Sequence, residues 1–154
     1  MNRRITLASI AARISARLDQ ALGVNKIGTA LDADFTRTVG LAASWPGVWV
    51  GCQRSTPITD GRGYSGRIVQ EVQTEIVVRV IVAKVVAGET SQEQRLNDIA
   101  DGVADVLIGW TPGNGVQPLA WVSSTDGPAE QSVQTVDLVF KTQVSYQYTA
   151  SAAA

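Results

Sequence analysis

The sequence holds no histidine and a single cysteine, Cys52, among 154 residues. The first absence removes Ser-His-Asp and Cys-His nucleophile pairs, together with every imidazole metal site. The second excludes an internal disulfide and fits a reducing cytoplasm. No run approaches the ~18 consecutive apolar residues of a membrane helix, so no membrane partner is expected. The formal net charge is −1, which gives the chain no overall field for nucleic acid or lipid. What remains is an ordinary globular composition, 45% hydrophobic and 18% charged. A chain of this size can bury roughly 70% of its unfolded surface within one domain.

The opening MNRRITLASIAARISARL places Arg3 and Arg4 before an apolar stretch, the outline of a twin-arginine export signal. That stretch lasts only about eight residues before Arg13, and Arg17 follows at helical spacing. A helix is the better reading. Leu7, Ile10, Ala11, Ile14, Leu18 and Leu22 share one face at intervals of three and four, and Gly23 is a stop signal. Residues 24–47 show no sustained period and read as a long connection with a short helix near Phe35 to Ala43.

Val48, Val50 and Cys52 alternate as a strand does, and Cys52 reads as a buried strand residue. STPITDGRGYSG, residues 55–66, is dense in turn formers and predicts a mobile loop. From Arg67 to Val86 comes the clearest strand, with Val72, Thr74, Ile76, Val78, Val80 and Val82 on one face. It exceeds the usual five or six residues and must bend or reach past its own subunit. A second helix starts at Thr90 or Ser91, where Glu93 or Gln94 completes a capping box. Leu96, Ile99, Ala100, Val103 and Leu107 form its apolar stripe, and Gly109 and Pro112 end it. Leu119 to Val122 reads as a short strand, residues 125–128 as a turn, and Val136 to Tyr148 as a half-buried antiparallel strand. The expectation is one α+β domain over residues 1–149, in the order α-β-β-α-β-β. It packs a mostly antiparallel four-stranded sheet with two helices, and residues 150–154 form a flexible tail.

Candidate chemistry is sparse. Asp98, Asp101 and Asp105 fall on the wet side of the second helix and read as a solvated face, with no metal site expected. Asp32 and Asp34 lack a calcium-loop pattern around them. Gly61-Arg62-Gly63-Tyr64-Ser65-Gly66 matches G-x-G-x-x-G, but a dinucleotide site needs that loop to open a helix. Here it opens a β-branched strand, and Lys84 and Val85 stand where the ribose-binding acid is expected. The loop reads instead as a hairpin tip in which Arg62 and Tyr64 suit contact with a partner. No catalytic residue and no cofactor is expected.

Charge is segregated along the chain. Residues 2–22 carry four arginines against Asp19, a net of +3, while residues 89–108 carry five acids against Arg95, a net of −4. Two arrangements fit. The helices solvate their outer faces or attract one another within one subunit, or the basic face bearing Arg13 and Arg17 meets the acidic face bearing Asp101 and Asp105 of the next copy. Head-to-tail contacts of the second kind close into rings. Of the four tryptophans, core packing accounts for two; Trp45 and Trp110, each beside a turn, are candidates for partner contact.

Several segments, taken in order, resemble a known family. They are the basic amphipathic first helix, the W-P-x-V-x-V strand start at Trp45 to Val50, the loop and the long valine strand. The helix closing on A-D-x-L-x-G-W-x-P at Ala104 to Pro112, followed by Pro118-Leu119, completes the set. This ordering is similar to the tail terminator proteins of tailed bacteriophages, especially the Mu-like branch, over residues 5–148. The resemblance implies a structural virion protein of the phage neck, assembled in the host cytoplasm, without catalytic residues. It implies a homo-oligomer, a hexameric ring, that caps the tail tube protein and ends tail polymerisation. The ring offers a docking surface to the head-tail connector, and to the sheath if the tail is contractile. DNA passes through the lumen without sequence-specific binding. The connection between Gly23 and Trp45 is longer than the family pattern suggests. A head-completion or tube-like ring protein, or a small ligand-binding module, are the alternatives.

Overall fold

The computed structural model describes residues 5–30, 45–58, 67–84, 92–127 and 133–149. Helix α1 spans Leu7–Arg17. The Thr6 hydroxyl accepts from the Ser9 N–H at 3.1 Å while the Ser9 hydroxyl donates to the Thr6 carbonyl at 2.8 Å, which satisfies one of the amide groups that every helix start leaves without a partner. The helix stops earlier than the apolar spacing predicts. Leu18 turns extended, and the Asp19 carboxylate accepts from Ala21 N–H to start a separate 3-10 turn, Gln20–Leu22. Gly23, at φ 68°, closes that turn.

Strand β1, Lys26–Thr29, pairs in parallel with β2, Gly47–Pro57. β2 lies antiparallel to β3, Arg67–Ala83, which pairs along its whole length with β5, Val133–Thr149; β4, Ala120–Asp126, closes the other edge. The sheet order is β1-β2-β3-β5-β4. This corrects the four-stranded expectation: a fifth strand lies inside the stretch read as irregular, and its parallel pairing makes the sheet mixed. Four residues are too few to show alternation, and pairing with β2 makes them a strand.

Strand boundaries also move. β2 continues through Pro57, so the loop does not begin at 55, and Ile58 N–H still donates to Glu71 O at 2.9 Å. Pairing with β3 overrides the local turn preference of Ser55, Thr56 and Pro57. A register shift between Gly51 and Gln53 places a bulge at Cys52 and turns Ser55 toward Thr74, hydroxyl to hydroxyl at 3.3 Å. β4 runs to Asp126, absorbing part of the turn expected at 125–128. The side chain of Cys52, residues 31–44 with the expected short helix, residues 59–66 and the tail from 150 lie outside the described residues.

Helix α2, Glu93–Leu107, buries Leu96, Ile99, Ala100, Val103 and Leu107, the stripe its spacing predicts. Its cap is Gln92, which makes no side-chain capping bond, so the capping box does not form as expected; Thr90 and Ser91 fall outside the described residues. Both helices lie on one face of the sheet. There the alternate residues of β2, β3 and β5, among them Val50, Ile76, Val78, Phe140 and Val144, meet Ile10, Ile14, Ile99 and Val103 in the main core. A smaller apolar cluster of Trp49, Ile81 and Val133, flanked by Trp45, is separate from it. By strand alternation Trp49 and Ile81 point away from the helices.

Candidate functional site

The turn after α2 sets the position of Trp110. Gly109 takes φ 79°, a conformation that suits glycine, and its N–H donates to Leu119 O at 2.9 Å. Leu119 N–H returns a bond to Trp110 O at 2.9 Å, so the Gly-Trp-Thr-Pro stop is clamped to the segment leading into β4. The indole is half-buried against the main core. Arg13 of α1 lies over it, with the guanidinium carbon 5.4 Å from the ring centre, and donates Nε–H to Val106 O at 3.3 Å. That carbonyl belongs to the last turn of α2, where carbonyls lack helical partners and the helix dipole is negative. The structure thus brings Arg13 and Trp110 together, and their contact joins the two helices within one subunit. Arg13→Ala is expected to lower stability by about 1–2 kcal/mol in urea unfolding, from the lost bond and ring contact; an unchanged midpoint contradicts this role.

The other predicted residues are dispersed. Trp45 is half-buried beside Trp49, and its carbonyl accepts from Asn25 Nδ2 at 2.6 Å. Arg17 is exposed in the last turn of α1. Asp101 and Asp105 are exposed on α2, as is Asp98. Arg62 and Tyr64 lie outside the described residues. Among the described residues, no group of three or more cysteine, aspartate or glutamate side chains is placed to hold a metal ion.

The surface that the sequence did not reveal lies beside β4. α1 packs on β1 and β2, and α2 on β3 and β5. Packed helices sit about 10 Å apart and strands about 4.8 Å, so each helix covers roughly two strands. Among the described residues, the two helices leave the fifth strand bare. A groove of about 250 Å³ runs along this strip, floored by Val136 and Leu138 of β5. Asp101, Ala104 and Ile108 form one wall and Trp121, Ser124 and Asp126 the other. A second hollow of about 220 Å³ extends it past Asn97 and Asp126 toward Glu93.

Trp121 is 52% exposed and Ile108 50% exposed, so two large apolar side chains face solvent across an acidic rim. Trp121 thus joins Trp45 and Trp110 as a tryptophan that is not fully buried, and Trp49 alone of the four is packed away from solvent. Trp121 pairs in register with the buried Phe140 and so points to the helix side, yet it stays half exposed beyond the reach of α1 and α2. The small polar run Ser123-Ser124-Thr125-Asp126 beside it is the signal that marks an edge strand.

These elements define a class: an α+β fold with two unlike sheet edges, one of them carrying a groove with an apolar floor and acidic walls. The fold is similar to a chain of a solved structure titled "Virion of native gene transfer agent (GTA) particle". The TM-score is 0.62 at 20% identity, covering 91% of this chain and 94% of that one. No curated protein matches the sequence. The family model described as phage tail terminator protein matches residues 2–150. The chain belongs to the phage tail terminator family, and it is a structural protein of the tail and neck of a phage-type virion.

Proposed function

We propose that this chain acts by shape, as one of six identical subunits in a closed ring that caps the tail tube. The ring ends tube polymerisation and presents its far side to the head connector, and to the sheath where the tail contracts. Its lumen passes DNA without reading sequence. The family match across residues 2–150 carries this reading. The folded chain is compatible with it, since two unlike sheet edges suit head-to-tail contacts, which close into rings when the rotation allows.

The test is to remove the gene product during particle assembly and measure tail length by electron microscopy. Overlong tubes of variable length, without heads, are expected. Tubes of normal length that merely lack heads would point instead to a connector protein.

A further inference from the structure

We infer that the groove between α2 and β4 is filled by a second copy of this chain, through the edge formed by α1 and β1. The inference rests on the ring reading and names the surfaces that join its subunits.

Three observations converge on this occupant. The first is charge. Asp101 and Asp126 line the groove, and Asp98 and Asp105 extend the exposed acidic face along α2. At the other end of the sheet, Arg17 and Lys26 are exposed on α1 and β1, and the nearby Asp19 carboxylate is occupied in capping its own turn. The one arginine of α2, Arg95, faces this side as well, its guanidinium donating to Gly23 O at 3.4 Å. The groove side is mainly acidic, Lys84 of the second hollow notwithstanding, and the α1–β1 side mainly basic, so each complements the other better than itself. This favours a head-to-tail contact over a two-fold one.

The second observation is the missing cover. Among the described residues the helix layer stops one strand short at β4, whereas α1 sits over the opposite edge. A copy added in the plane of the sheet would bring its α1 alongside the bare strip, over Trp121 and Ile108. The third is strand direction. Tracing the ladder from β1 to β4 shows that the two edge strands run in opposite directions. In-plane addition thus sets them antiparallel, the more stable way for edges to meet. An exposed tryptophan at the centre of such a contact is the usual anchor of an interface.

The experiment uses two charge-reversed variants of the full chain. One carries Asp101→Lys and Asp126→Lys; the other carries Arg17→Glu and Lys26→Glu. Assembly is read by native mass and sedimentation, alone and on tail tubes, with circular dichroism confirming that each variant folds. Each variant by itself should need at least about tenfold more protein to assemble than wild type. An equimolar mixture should recover assembly, because alternating copies restore opposite charges at every joint. Trp121→Ala should weaken assembly at any salt concentration, whereas the charge contribution should fade as salt rises. A wild-type ring that tolerates both reversals and the loss of Trp121 overturns this inference while leaving the ring intact. A wild-type chain that stays monomeric, free and on tubes, overturns the ring reading and this inference with it. Failure of the mixture to recover also counts against the pairing.

Discussion

Phe140→Ala is expected to destabilise the protein by about 3–5 kcal/mol, seen as a lower urea midpoint with unchanged slope. Phe140 is fully buried on the middle strand of the β3-β5-β4 ladder, opposite Ile76 on one side and Trp121 on the other. The stripe of α2 lies over this face in the same core. Removing the ring takes away its transfer energy and leaves a cavity that a paired strand cannot close, since both neighbours are held in register. The floor of the groove beside Trp121 should loosen as well, so the variant should also assemble poorly. A loss below about 1 kcal/mol would mean that the strands are not paired as described.

Trp49→Ala should cost a similar amount, about 3–5 kcal/mol, for a different reason. Trp49 is only 2% exposed although its strand turns it away from both helices. Among the described residues it packs with Ile81, Val133 and the edge of Trp45, a cluster separate from the main core under α1 and α2. Its loss should therefore destabilise the β1-β2 end of the sheet first. Amide exchange would show this as faster opening at Lys26–Thr29 than at β5. Trp121→Ala, in contrast, should change monomer stability by no more than about 1 kcal/mol, because half of that side chain already faces water. Equal costs for the two substitutions would contradict the assignment of one to packing and the other to contact between copies.

The parts of the fold legible in the sequence are those in which one element decides its own pattern. Leu96, Ile99, Ala100, Val103 and Leu107 repeat at helical spacing and are all buried; Val72 to Val82 alternate and are buried along one face. What was not legible depends on neighbours. Lys26–Thr29 is a strand because β2 lies beside it, and its four residues carry no period. Ser55, Thr56 and Pro57 have turn chemistry but are held by β3. The candidate site suffered most from this dependence. Arg13 and Trp110 were legible as unusual residues, and the structure joins them across two helices in one subunit. Nothing in the sequence singled out Trp121 from the other tryptophans. Only the reach of α2 across the sheet leaves it bare, and no local pattern encodes that distance. The charge segregation was visible in sequence; that Arg13 would turn to α2 while Arg17 stays exposed away from the acidic face was not.

The central claim is tested most directly by imaging the head-proximal end of purified tails at a resolution that separates subunits. The account predicts a single closed ring of identical copies of this chain on the last ring of the tube, with α1 of each copy seated beside β4 of the next. Finding this chain at that position as an isolated copy, or finding it absent from the end of the tube, would contradict it.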